Sequence, residues 1–227
     1  MGPAVVPGGW YYARRGNLQQ IVGCRDICTP HTVDHYRERL PGLVDLVYSD
    51  PPWNPGNEKY WRRHAGIPDT AGYQAFLKAW HAVVAECYAR GAMHVLCEQS
   101  SNPKHHRMLT DERTGWDLPL LETWTVFYGS PSSISCKLPN ILMHFGHQKL
   151  RTDPAGMAGE AMTIRACAGL NIAPGSWIVD PCLGKGMTSR MAHYFGWNLV
   201  GTEIHPARLQ KALDWLARMG YEISEDR

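Results

Sequence analysis

The residue pattern predicts a three-layer α/β fold built on a mostly parallel sheet. Three observations lead there. Strand-like apolar runs alternate with helix-like amphipathic stretches, the order that βαβ units produce. One stretch, Trp177 to Thr188, reads strand, Gly-containing loop, helix, as the nucleotide crevices of doubly wound folds do. At 227 residues the chain is long enough for a three-layer core, and it is read as one domain spanning 1–227.

In chain order, residues 1–18 are rich in Gly, Pro and Arg and are read as loose. Gln20–Gly23 is a short strand, and Thr32–Leu40 a helix stopped by Pro41-Gly42. Leu43–Tyr48 is an apolar run of buried-strand length. Residues 54–70 are polar, aromatic and basic, and read as a loop. Tyr73–Arg90 carries Phe76, Leu77, Trp80, Val83, Val84 and Cys87 at helical spacing, with Gly91 just past its end. Ala92–Cys97 is the next buried strand, which completes a parallel βαβ unit with the run ending at Tyr48. Residues 99–118 form a second polar loop. Leu120–Tyr128 and Asn140–Phe145 are an antiparallel pair around a turn at Gly129-Ser130-Pro131. Helix Glu160–Leu170, strand Ser176–Asp180, helix Thr188–Phe195, strand Asn198–Glu203, helix Pro206–Met219 and a charged tail complete the chain.

Composition narrows the function. A formal net charge of +2 excludes a polybasic protein, so nucleic-acid contact would rest on local patches. Seven scattered cysteines and no signal-peptide pattern point to reduced thiols in a cytoplasm. No apolar run approaches the roughly 20 residues of a membrane span. His105-His106, His144-x-x-His147 and Cys24-x-x-x-Cys28 lack zinc-ligand spacing, so no metal is expected.

Two constellations carry chemistry. The first is Asp50-Pro51-Pro52-Trp53, directly after a strand. Prolines fix φ and lack an N–H, which stiffens the loop and restricts its carbonyl directions. Asp50 is an acceptor, and Trp53 offers a flat face. Such a loop suits a planar ring bearing an amine, with the N–H groups on the acceptors and the indole on the ring. A plain strand-ending turn, with Asp50 as a cap and Trp53 in the core, would use the same residues.

The second constellation is Asp180-Pro181-Cys182-Leu183-Gly184-Lys185-Gly186-Met187-Thr188, with Glu203 ending the following strand. A phosphate cradle would want GxxxxGK[ST], and a dinucleotide site GxGxxG. A nucleoside without phosphates, S-adenosylmethionine, is the third reading. Asp180 would face its sulfonium or ammonium end and Glu203 its ribose. Outside these two, Trp61, Arg62 and Arg63 in one polar loop, and Lys104, His105 and Arg107 in the other, pair stacking with phosphate-binding groups.

Together the two motifs resemble the amino-methyltransferases that modify exocyclic amines of DNA bases. In that family Asp-Pro-Pro-aromatic is the catalytic motif and Asp-Pro-x-x-Gly-x-Gly the cofactor motif. Here the catalytic motif comes first, which resembles the circularly permuted β class, over about Ile21 to Trp215. The resemblance implies a seven-stranded sheet with helices on both faces and one antiparallel strand near an edge. It places both motifs at the carboxyl ends of adjacent strands. It implies catalytic roles for Asp50, Pro51, Pro52 and Trp53. It also implies S-adenosylmethionine held by Asp180, Pro181, Gly184, Gly186, Thr188 and Glu203, with Asp50 beside it. An Asp in first place is commoner in adenine enzymes of the family, so N6 of adenine in DNA is the expected target. The permuted family usually carries a large recognition insertion, which residues 146–160 are too few to supply. Recognition would fall to the two polar loops, to a second copy in a homodimer, or to a separate partner.

N4 of cytosine, adenine in RNA, and an inactive nucleic-acid-binding subunit are the competing readings. A nicotinamide oxidoreductase would explain Glu203 but not Asp-Pro-Pro-Trp. A restriction companion, a solitary regulatory enzyme and a phage self-protection enzyme would share all these features.

Overall fold

The computed structural model of the protein describes residues 3–29, 31–40, 42–68, 72–111, 113–128 and 139–226. The expected stop at Pro41 and the turn at Gly129-Ser130-Pro131 lie outside these residues.

The chain begins with a hairpin, β1 (Trp10–Arg15) and β2 (Leu18–Cys24), and continues through helix α1 (Thr32–Arg39). Strand β3 (Leu46–Ser49) leads into α2 (Pro55–His64) and the long α3 (Gly72–Ala89). Strand β4 (His94–Ser100) is followed by α4 (Pro103–Asp111). Then come β5 (Leu120–Val126), β6 (Asn140–Gly146) and α5 (Glu160–Gly169). Strand β7 (Trp177–Asp180), α6 (Met187–Phe195), β8 (Asn198–Glu203), α7 (Pro206–Arg218) and β9 (Glu222–Asp226) close it.

Among the described residues the strands form one nine-stranded sheet, in the order β5-β6-β4-β3-β7-β8-β2-β1-β9. The five central strands, β4, β3, β7, β8 and β2, are mutually parallel. Strands β6 and β1 run against them on either side. The expected seven-stranded sheet with one reversed strand is therefore too small. The missing pieces are β1 and β9. Gly16, in the left-handed region at φ 55°, allows the tight return that pairs Arg15 with Leu18. The charged tail then adds to β1 as an edge, Trp10 opposite Asp226, and Arg39 ties it down through Asp226 at 2.6 Å. An edge strand needs little apolar surface, so its sequence reads as a tail.

The sheet is buried on both faces because its central strands are apolar on both. Val47, Val95, Val179 and Val200 face a layer holding Tyr36, Phe76, Leu77, Trp80 and Val84 from α1 and α3. Leu46, Leu96, Ile178 and Leu199 face Met162, Ala166, Met191, Leu209 and Leu213 from α5, α6 and α7. No described helix is long and apolar enough to cross a membrane.

Both polar loops are corrected to helices. Residues 55–64 form α2 because Asn54 caps them, accepting from the Asn57 N–H at 3.0 Å, with Pro55 in the first turn. Residues 103–111 form α4 behind a similar start, with Asn102 accepting from the Lys104 N–H at 3.0 Å.

Trp80 links the α3 layer to the end of β3: its buried indole N–H donates to Ser49 Oγ at 2.9 Å. Trp80→Phe removes that donor from a buried hydroxyl. The variant is expected to lose about 1–3 kcal/mol, read as a lower urea midpoint with an unchanged m-value.

Candidate active site

Strands β3 and β7 are neighbours and parallel, Leu46 beside Ile178 and Val47 beside Val179. Their carboxyl ends therefore open on the same side. The loops that follow them wall one cleft of about 450 Å³, large enough for a nucleoside-sized ligand. Asp50, Pro51, Pro52, Trp53, Trp61, Asp180, Pro181, Gly184, Thr188 and Glu203 all line it. Gly186 is not among the residues that line it.

The first loop is held from beneath. The Tyr73 hydroxyl donates to the Pro52 carbonyl at 3.0 Å, and Gln99 Nε2 donates to the same hydroxyl at 3.3 Å. The Trp53 indole N–H donates to Asp50 Oδ1 at 2.8 Å. The aromatic plate thus occupies one lone pair of the neighbouring acceptor. Asp50 is exposed on the side that lines the open cleft, while protein surrounds its carboxyl on the other sides. Its proton affinity is raised, first by that burial and then by the charges of Glu98 and Asp180, against the Trp53 bond and Arg208.

The second loop is organised by Asp180, which is only 1% exposed. One carboxyl oxygen accepts from the Cys182 N–H at 2.9 Å and the other from the Thr188 hydroxyl. Asp180 and Thr188 therefore shape the loop by bonding each other. Gly184 and Gly186 have φ 61° and 83°. A Cβ on Gly184 would stand 2.9 Å from Arg208 Nη2, and one on Gly186 2.6 Å from the Ala212 Cβ. A side chain at 186 would push the loop off α7, and one at 184 would displace the Arg208 guanidinium. Glu203, 6% exposed, ends β8 and accepts from the His205 N–H at 2.8 Å. Burial raises its proton affinity, opposed by Arg208. A glycine cradle with a buried acid across from it fits the hydroxyls of a ribose.

Three residues that the sequence pattern did not single out also shape the cleft. Glu98, buried on β4, accepts hydrogen bonds from Tyr48, Tyr128 and Thr163. Tyr128 itself lines the cleft, as does Arg208. The Arg208 guanidinium lies over the Trp61 ring, 4.2 Å from its centroid, joining α7 to α2 across the mouth. No local motif marks Glu98 or Arg208; their importance comes from contacts between distant segments.

The expected nucleic-acid contacts separate. Arg63, Lys104 and Arg107 are exposed, and His105 is half-buried with its Nδ1 enclosed. Arg62 is a correction. It is 3% exposed and forks onto Asp26 at 2.7 and 3.1 Å, with Glu58 on its Nε. Helical spacing turns it inward while its neighbour Arg63 turns out, so its guanidinium is committed to carboxylates. Among the described residues no group of three His, Cys, Asp or Glu side chains stands ready to hold a metal.

Burial pushes the Asp180 carboxyl up to about 7, with Glu203 adding to it and the Thr188 and Cys182 bonds opposing. The folded protein therefore holds this proton more tightly than the unfolded chain does. That contribution is fully present below the ordinary carboxylate range and is lost as pH rises through about 7. His81 and His94, lowered to about 4 by burial, act in the opposite sense between that value and their ordinary 6.5. They are common to wild type and Asp180→Asn. Melting temperatures should therefore fall less steeply for Asp180→Asn than for wild type between about pH 4 and 7; parallel curves would refute the assignment.

No protein-family model and no curated protein matches this sequence. Solved structures do match. M1.HpyAVI is 14% identical, covering 86% of this chain and 97% of its own, with a TM-score of 0.56. TTHA0409 of Thermus thermophilus, a putative DNA modification methylase solved with S-adenosyl-L-methionine, is 18% identical, covering 82% and 90%, with a TM-score of 0.55. The PvuII DNA methyltransferase, cytosine-N4-specific, is 11% identical, covering 88% and 92%, with a TM-score of 0.55. At these identities the likeness is one of architecture: this chain has the fold of the DNA modification methylases.

Proposed function

We propose that the protein is an S-adenosylmethionine-dependent methyltransferase acting on the exocyclic amine of a base in DNA, with N6 of adenine as its target. One observation carries the reading. The Asp50–Trp53 loop and the Asp180–Gly186 loop, far apart in sequence, face each other across a single cleft with Glu203 beside them. The solved relatives with S-adenosylmethionine bound support the choice of cofactor.

In this reading the cofactor supplies an electrophilic methyl group, and Glu203, Gly184, Pro181 and the loop shaped by Asp180, Gly186 and Thr188 hold it. Asp50 and the Pro51 carbonyl accept the two N–H bonds of the amine. That directs the nitrogen lone pair away from the ring, a positioning effect worth several kcal/mol. Trp53 stacks on the flipped base. It must first release Asp50, because its indole N–H holds the oxygen that the amine needs. Tyr73 keeps the loop in register while Trp53 turns.

Adenine is assigned on Asp50 in the first place of the motif. Cytosine N4 is the second reading, favoured by the equal fold likeness to the cytosine-N4-specific PvuII enzyme. We read residues 1–227 as one catalytic unit without a recognition insertion. Helices α2 and α4 both follow the carboxyl ends of sheet strands, so they rim the same side as the cleft. Arg63, Lys104 and Arg107 then take phosphates, His105 serves as a weaker neighbour, and a second copy or a partner completes the grip.

The test uses tritiated S-adenosylmethionine with duplex DNA, single-stranded DNA and RNA, followed by digestion to nucleosides. Label in N6-methyladenine from DNA, lost in Asp50→Ala, is the expected result. Label in N4-methylcytosine or in RNA would overturn the base or the polymer; no cofactor binding would overturn the whole reading. On the DNA surface, Lys104→Ala and Arg107→Ala should each flatten the plot of log affinity against log salt by about one unit. An unchanged slope in both would remove α4 from the interface.

A further inference from the structure

Glu98 stands one strand away from Asp50. The parallel register pairs Ser49 with Cys97, so Asp50 and Glu98 are the next residues along where the two strands run out together. The Glu98 side chain has no exposure. Its Oε1 accepts from the Thr163 hydroxyl at 2.7 Å and the Tyr48 hydroxyl at 3.1 Å; its Oε2 accepts from the Tyr128 hydroxyl at 2.7 Å. The donors come from α5, from β3 and from the segment after β5. Among the described residues, no lysine, arginine or histidine is hydrogen-bonded to it. A buried carboxyl with no cation bonded to it is costly, and a glutamine or leucine would fill the space at lower cost. Burial raises its proton affinity, and the three converging hydroxyl donors oppose that by stabilising the ionised form.

We propose that Glu98 is a positioning residue that holds a fixed negative charge beside Asp50 and so keeps Asp50 ready to take up a proton. This rests on the reading of Asp50 as the amine-binding group. An amine nitrogen that has gained a carbon must lose a proton. Its N–H bond breaks, the electron pair stays on nitrogen, and the proton passes to the Asp50 carboxylate and then to water in the cleft. Glu98 makes and breaks no bond. Asp50 is faced by Glu98 from β4, Asp180 from β7 and Arg208 from α7, with the Trp53 indole N–H on its oxygen. Of these, Glu98 exerts the larger of the two negative influences. Glu98 is itself faced by Glu160 from α5 as well as by its three hydroxyls.

The test is a carboxyl carbon NMR titration of the ligand-free protein, comparing wild type with the near-isosteric Glu98→Gln. The Asp50 midpoint should fall by roughly one pH unit or more in the variant. An unmoved midpoint would overturn the proposal. If Glu98→Gln does not fold, Tyr128→Phe removes one donor and leaves the carboxyl in place. Glu98 should then titrate higher and Asp50 lower; no movement of either would likewise overturn it. The pH profile of methyl transfer gives a second readout. Its acid limb should move to lower pH in Glu98→Gln with cofactor KM unchanged, whereas a structural role would depress the rate evenly at all pH. Absence of any methyl transfer by wild type would overturn the assigned function, a failure separate from an unmoved Asp50.

Discussion

The parallel pairing of β3 and β7 is the constraint on which the cleft depends. Each strand is only four residues long, and two register pairs join them. Because they run the same way and end together, whatever follows one must face whatever follows the other. Asp50 and Asp180 are the residues at those ends. Strands β4 and β8 flank the pair, and they end in Glu98-Gln99-Ser100 and Glu203 respectively. An acidic group thus stands at or near the end of each of four successive strands.

That arrangement carries an electrostatic cost. Burial raises the proton affinity of Asp50, Glu98, Asp180 and Glu203 alike, and nearby carboxylates add to it at the first three. The fold offsets this differently at each. Asp180 commits its oxygens to its own loop, Glu98 to three hydroxyls, and Glu203 to backbone N–H groups with Arg208 nearby. Asp50 has an indole N–H and an open face to the cleft. It is the least fully committed of the four, which is what a group meant to meet a ligand requires.

The cation at the mouth has a related place. Arg208 reaches over Gly184, lowers the proton affinity of both Asp50 and Glu203, and stacks on Trp61. Glycine at 184 leaves the room that this guanidinium uses. Helix α2 is fixed beneath by Arg62 between Asp26 and Glu58. The arginine that looked available for phosphate is thus a brace for the helix that carries Trp61, and the arginine next to the Asp180–Gly186 loop came from a helix that reads as ordinary.

The sequence by itself determined the α/β layering, the parallel unit around β3 and β4, and the two proline-marked loops. Each follows from local rules: the two-residue and 3.6-residue periods, and prolines and glycines that restrict or free the backbone. The cap that makes α2 a helix, Asn54 before Pro55, was legible too; polar composition masked it. What tertiary structure alone decided is which buried groups meet. Strand order put β7 beside β3, so a loop at 50 and a loop at 180 share one cleft. Helix rotation sent Arg62 inward and Arg63 outward. Packing brought Tyr48, Tyr128 and Thr163 onto Glu98, across up to 65 residues of chain. The edge strand β9 stayed hidden because backbone pairing, which no side chain announces, holds it to β1.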